Sequence, residues 1–297
     1  MAPVVLALLG GAIDYAGLFP PAQLPMAAAV ANFRRYMSSP ERWALGRLVV
    51  PVARLGEFGM ALRGTRAAGA LGSAPTNDNW RVAAIGGGDA QTDAAAITRF
   101  NQAQRGRAAV DSIEAVTPTP QVVAARVAAS AGLTCFCELD PASAGFAAAA
   151  DAVRACGARA KLRTGGIVAT AIPPLAAVAA FLHCCHELGL SFKATAGLHH
   201  AIRGEYPLTY AAGAAKAVMH GYLNLALAAA LVRAGGSPGA SQDILEREHA
   251  AELRVEPDAI LWKSTRWTQE QIVEGRRFFR GFGSCSFEEP LQWLTSL

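Results

Sequence analysis

Charge is scarce in this chain. Asp, Glu, Lys and Arg make up 17% of its 297 residues, against roughly 25% in an average soluble protein. With 52% hydrophobic residues, this excludes a disordered chain, which needs low hydrophobicity and high net charge. Basic residues stand singly or in doublets such as Arg34-Arg35 and Arg276-Arg277. They form no stripe that could neutralise a phosphate backbone, so no nucleic-acid partner is expected. Cysteines are present (Cys135, Cys137, Cys156, Cys184, Cys185 and Cys285), but none form a Cys-x-x-Cys pair. Zinc-ribbon and thioredoxin motifs are therefore excluded, and the thiols read as reduced ones in a cytoplasmic protein. The longest apolar run, from Ile167 to Leu182, is interrupted by Pro173-Pro174. It falls short of the roughly 18 residues of a membrane span, so no membrane partner is expected. The apolar start, Pro3 to Ala12, lacks the basic flank of a signal peptide. Gly86-Gly87-Gly88-Asp89 lacks both the spacing and the acidic strand end of a dinucleotide fingerprint. No cofactor and no metal are expected.

What the sequence does contain is alternation. Short apolar runs bounded by Gly and Pro alternate with alanine-rich stretches of helical length, the βαβα rhythm of a parallel sheet. Strands are expected near Val4–Leu9, Leu45–Val52, Arg81–Ile85, Ala109–Ala115, Leu133–Leu139, Ala158–Arg163, Ser191–Thr195 and Phe278–Gly283. Helices are expected between them, including a long one over Tyr210–Ala234 and a closing one over Glu288–Leu297. The rhythm breaks at about 235–275, which carries Trp262 and Trp267 and no clear strand. The simplest architecture is α/β, a single (β/α)8 TIM barrel over 1–297 with an insertion before the last strand. An open doubly wound sheet is the alternative. The insertion reads as a lid or as a contact in a homo-oligomer, since exposed tryptophans mark interfaces.

A barrel of this kind carries its chemistry at the C-terminal strand ends. Those ends offer Asp14 and Tyr15, Glu114, Glu138 and Asp140, Lys161 and Arg163, Lys193, Thr195, His199 and His200, and Ser284, Cys285 and Ser286. Strands six and seven are the most informative. Period-two alternation puts Lys161 and Arg163 on one face, and Lys193 and Thr195 on one face. Two lysines facing into a barrel are costly unless paired or neutral. Two close ammonium groups would lower each other's pKa and leave one a usable amine nucleophile. The other reading pairs each lysine with a carboxylate such as Glu138, in a structural or anion-binding role.

The segments Lys161-Leu162-Arg163-Thr164-Gly165 and Lys193-Ala194-Thr195-Ala196-Gly197 resemble the paired lysine strands of the deoxyribose-phosphate aldolase family. The likeness covers roughly residues 105 to 200, and the separation of the two lysines is close to the family's. It implies a class I aldolase barrel with Lys161 forming the imine and Lys193 tuning it. It also implies a proton-relay aspartate on strand four, for which Asp111 is the candidate. Asp111 and Glu114 fall on opposite faces of that strand, so only one of them points inward. Arg163 and His199-His200 depart from the family pattern.

The remaining polar groups suggest an anionic substrate. Thr164-Gly165-Gly166 after strand six and Ser284-Cys285-Ser286 after strand eight could offer backbone N–H groups, with Arg163 and Arg203 adding charge; Ser286 is equally a plain helix cap. Asp14 reads as a general base or a substrate ligand, and His199 or His200 as a proton carrier. His220 and Asn224, four residues apart on the next helix, are further candidates for the mouth. His183-Cys184-Cys185-His186 lies on a helix remote from it. The expected catalytic set is Lys161, Lys193, Asp14 and Glu138. The expected binding set is Arg163, Thr164, Gly165, Gly166, Thr195, His199, His200, Ser284 and Ser286. The expected function is a lysine Schiff-base carbon–carbon lyase acting on a small anionic carbonyl compound. One alternative is a phosphoribosyltransferase-like barrel that uses the cations without a covalent step; another is a non-catalytic binding barrel.

Overall fold

A computed structural model describes residues 1–67 and 79–292. The first apolar run is a helix, α1 (Pro3–Leu9), where a strand was expected. Pro3 sits at the first helical position, which suits its fixed φ. Val4, Val5, Leu8 and Leu9 then bury one face while Leu6 stays out. A short unbroken apolar run reads the same way in either secondary structure. The first strand comes next as β1 (Ile13–Tyr15). Asp14 is therefore inside the strand, not in a loop after it.

From there the expected rhythm holds. It runs α2 (Met26–Met37), β2 (Leu45–Pro51), α3 (Leu55–Ala67), β3 (Trp80–Ile85), α4 (Ala90–Ala103), β4 (Ala108–Val116), α5 (Pro120–Ala129), β5 (Thr134–Leu139), α6 (Phe146–Ala155), β6 (Arg159–Arg163), α7 (Leu175–Glu187) and β7 (Phe192–Thr195). The helix starts follow from sequence chemistry. The Asp89 carboxylate accepts from the Gln91 and Thr92 N–H groups at α4. At α5 the Thr119 hydroxyl accepts from the Val122 N–H, with Pro120 next in line. One stretch, Ala169–Glu187, is apolar and long enough to cross a membrane by length and composition. Its helical core, α7, packs Val178, Phe181, Leu182 and Cys185 into the interior.

After β7 the chain departs from expectation. The long helix expected over Tyr210–Ala234 is instead a hairpin, β8 (Gly204–Pro207) and β9 (Lys216–Met219), followed by α8 (Tyr222–Arg233). Apart from Leu231 and Arg233, α8 is buried all round. Next come α9 (Pro238–Glu246) and an antiparallel sheet of β10 (Leu253–Val255), β11 (Ala259–Trp262) and β12 (Thr265–Thr268), in a region where no strand was expected. Trp262 and Trp267 are 0% and 1% exposed, so these two tryptophans are core anchors and not an oligomer contact. The Trp262 indole N–H donates to the His249 carbonyl, and the Arg247 guanidinium lies over its ring. α10 (Gln269–Phe278) starts with a reciprocal Thr268/Gln271 capping box. It crosses α8 so closely that a Cβ at Gly275 would lie 2.7 Å from that of Ala230. β13 (Phe279–Ser284) and the short α11 (Glu289–Gln292) end the described chain. Residues 293–297 of the expected closing helix lie outside the described residues.

The strands form a closed parallel barrel of eight in the order β1-β13-β7-β6-β5-β4-β3-β2. This is an α/β (β/α)8 TIM barrel. Its register sets charged residues side by side: Glu138 pairs with Lys161 across β5 and β6, and Lys161 with Lys193 across β6 and β7.

Candidate active site

Strands β1, β4, β5, β6 and β7 send charged side chains into the interior at the mouth. Lys161 Nζ lies 2.9 Å from both Glu114 Oε2 and Glu138 Oε2. Lys193 Nζ lies 2.6 Å from Asp14 Oδ2 and 2.5 Å from Glu114 Oε1. Arg163 Nε donates to the second oxygen of Glu138 at 2.9 Å. Glu114 thus bridges the two lysines, one oxygen to each. Three cations face three carboxylates, so the cluster is balanced even though Glu114, Lys161 and Lys193 are all under 4% exposed. Such a network persists in a low-dielectric interior only when every charge is paired.

The Lys193 ammonium is therefore not depressed as the sequence suggested. Burial pushes the Lys193 ammonium toward neutrality, but Asp14 and Glu114 outweigh it and raise its pKa. Burial likewise pushes Glu114 up, and the two ammonium groups overcome it and hold its carboxyl down at about 2. Glu138, also raised by burial, is pulled below its ordinary value by Lys161 and Arg163. Asp14 is fixed on both sides, since its Oδ1 accepts the Arg47 backbone N–H at 2.6 Å. Gly46 makes that possible, because a Cβ there would fall 2.2 Å from Asp14 Oδ1.

A cavity of about 330 Å³ opens above this cluster at the C-terminal end of the barrel. Lys161 and Arg163 line it, together with Thr195, His199, Gly166, Gly283 and Cys285. Lys193, Asp14 and Glu114 do not line it and stand behind Lys161. His199 forms a second charged group. Burial disfavours its cation, but contacts with Cys285 and Glu289 raise its pKa to about 9. Its Nδ1 is 3.1 Å from Glu289 Oε2 and 3.7 Å from Cys285 Sγ. The exposed Tyr210 places its hydroxyl 3.3 Å from the same sulfur.

Several expected site residues have structural roles. The Thr164 hydroxyl donates to the carbonyls of Thr195 and Ala196, tying the loops after β6 and β7 together. Gly165 is glycine because those loops touch: its added Cβ would lie 3.0 Å from the Gly197 Cα. Ser286 caps α11 by accepting the Glu289 N–H, and Ser284 is buried in the β13 end. Arg203, expected to add charge beside them, is ion-paired with Glu248. His200 stacks on Tyr206 at 3.6 Å between ring centroids, away from the cavity lining. Asp111 is the extra residue where the β3–β4 register jumps from Val110 to Ser112. It pairs with Arg47 and Arg81 and, among the described ion pairs, with neither lysine. His220 bonds the Pro173 carbonyl, and Asn224 bonds backbone at Arg203, Ile244 and Arg247. His183 bonds Ser241, and His186 bonds Arg233.

Sequence reasoning left Glu114 and Glu289 out of the site. Glu114 was visible as a strand-end acid, but the sequence did not mark which face of the strand points inward, and the register jump at Asp111 obscured it. Glu289 gave no signal beyond being an acid at a helix start. No protein-family model and no curated protein matches this sequence.

Proposed function

We propose that this barrel is a lysine Schiff-base lyase that cleaves or forms a carbon–carbon bond in a small anionic carbonyl compound. The observation that carries this reading is the position of Lys161. It is the amine that lines the cavity, while Lys193, its partner in register, stays behind it. The similarity to the deoxyribose-phosphate aldolase strands supports the same assignment, with Glu114 and not Asp111 as the inward acid of the fourth strand.

The charge pattern suits the step. Lys161 passes one proton to Glu138, a transfer inside the cluster that leaves its net charge unchanged. The free amine attacks the carbonyl carbon, and a second N–H proton moves to the oxygen. Glu138 then returns the first proton, and the oxygen leaves as water. The iminium that remains carries the same single positive charge as the ammonium it replaces. Glu114 and Glu138 therefore stabilise the iminium as they stabilise the resting lysine. The iminium accepts the electron pair of the cleaved bond. Lys193, with its pKa raised, stays a fixed cation that holds Glu114 and Asp14 in place.

The test is intact-mass analysis after sodium borohydride treatment with small aldehydes, oxo acids and sugar phosphates, followed by peptide mapping. An adduct on Lys161 that is lost in Lys161→Arg is the expected result. A second reading rests on the cavity's cations Lys161, Arg163 and His199, which could bind a phosphate or carboxylate without covalent chemistry. Absence of any adduct, with anion binding retained, would favour it.

A further inference from the structure

The walls of the mouth cavity differ in kind. Lys161, Arg163 and His199 stand on the β6–β7 side. Phe19 and Pro20 after β1, Val49 on β2 and Ile85 on β3 stand on the other. In the closed ring β2 and β3 lie across from β6 and β7. Ile167 and Val168, 49% and 53% exposed, extend the apolar lining from the loop after β6. Among the described residues that line the cavity there is no Asp, Glu, Asn, Gln or Ser, and Thr195 supplies the only hydroxyl side chain. At about 330 Å³, it is at the small end of ligand cavities, roughly 300–1,000 Å³.

We propose that the substrate is a 2-oxo acid with an apolar chain and not a polyhydroxylated sugar phosphate. The inference rests on the imine reading for the position of the carbonyl only. Lys161 and Arg163 are two apart on one face of β6, so the carboxylate next to an imine carbon on Lys161 falls beside the guanidinium. Glu138 occupies Arg163 Nε and leaves its terminal nitrogens free to take that carboxylate. The chain then crosses to Phe19, Val49 and Ile85, where hydroxyl groups would be buried without partners. For a 4-hydroxy-2-oxo acid the C3–C4 bond breaks and its electron pair flows to the iminium nitrogen. The 4-hydroxyl gives its proton to solvent at the open mouth and becomes the aldehyde that carries the apolar chain. The enamine left on Lys161 takes a proton at C3, and water releases it as a 2-oxo acid.

Two measurements test this. Calorimetry compares 4-methylpentanoate, which has no carbonyl to trap, with ribose 5-phosphate. Borohydride trapping compares 4-methyl-2-oxopentanoate with the same sugar phosphate. The expected results are binding of 4-methylpentanoate about 100-fold tighter than the sugar phosphate, weakened at least about tenfold in Arg163→Met and less so in Ile167→Thr. Half-maximal trapping should follow the same order. A sugar phosphate that binds or traps as well as the apolar acid overturns the proposal. Tight binding of 4-methylpentanoate with no adduct from any carbonyl compound would overturn the imine reading and leave the ligand class standing.

Discussion

The barrel holds two ion-pair networks built from the same kinds of group in opposite settings. Inside the mouth, Glu114 bridges Lys161 and Lys193 with side-chain exposures of 2–4%. Lower in the barrel, Asp111 bridges Arg47 and Arg81, with side-chain exposures of 33%, 20% and 60%. Each carboxylate takes two cations. Water screens the second network and is excluded from the first. Wet ion pairs contribute about 0–1 kcal/mol, whereas a buried pair broken on one side costs about 3–5 kcal/mol, because the remaining charge has no solvent. The mouth network is therefore costly to break, and its retention in the interior is what a site needing a fixed charge would require.

The largest expected effect comes from Glu114→Gln. It leaves two buried ammonium groups sharing one fewer carboxylate, and should cost about 3–5 kcal/mol in chemical denaturation. If Glu114→Gln were no worse than Asp111→Asn, the contrast between the two networks would fail. Acid should act on the same group. The Glu114 pKa is depressed in the folded state, from 4.5 to about 2, so its contribution is fully present above about pH 4.5. It is lost as pH falls toward 2. Circular dichroism against pH should show that loss in the native protein, and Glu114→Gln should remove it.

A smaller effect isolates geometry from charge. Gly46→Ala adds a Cβ 2.2 Å from Asp14 Oδ1 and forces Asp14 off the Arg47 N–H and Lys193. It changes no titratable group. We expect a loss of about 1–3 kcal/mol, the range for leaving a buried polar group short of a partner. A fall in Lys161 trapping should accompany it. Gly46→Ala with native stability would mean that Asp14 is not held as tightly as the contacts indicate. On the alkaline side, the His199 pKa is raised from 6.5 to about 9. Its contribution is present below about pH 6.5 and lost as pH rises through 9. NMR titration of His199 should show the high value, and Glu289→Gln should lower it.

How much of the fold was legible depends on the local signal. Strands β2 to β5 stood out as largely apolar runs closed by Gly or Pro, and β6 and β7 as basic–apolar alternation ahead of Gly165 and Gly197. The first strand did not, since Ile13–Tyr15 is three residues long and the apolar run before it is a helix set by Pro3. The β8–β9 hairpin lacked a turn signature, and alanines at 211–217 suggested a helix. In the site, the two lysines were legible through alternation, and their facing register came from the barrel. The raised pKa of Lys193 was not, because it depends on which carboxylates close the ring. The bulge at Asp111 also hid which acid of β4 points to the lysines.

The smallest expected effect tests the outer network, and Arg47 makes it informative. Its backbone N–H holds Asp14 in the mouth, while its guanidinium pairs with Asp111. The two networks therefore share a residue, and its guanidinium also lies within electrostatic reach of Asp14 and Glu114. Asp111→Asn removes the carboxylate's charge but keeps an oxygen to accept from Arg47 Nε. The expected cost is about 1 kcal/mol or less. Added salt should shrink that cost, since a Debye length of about 3 Å at 1 M screens solvent-exposed pairs, while the cost of Glu114→Gln should stay unchanged. Borohydride trapping on Lys161 should also survive Asp111→Asn, because the backbone of Arg47, not its side chain, positions Asp14. A variant that kept its stability yet lost trapping would show that the guanidinium transmits to the mouth. The two networks would then have to be treated as one.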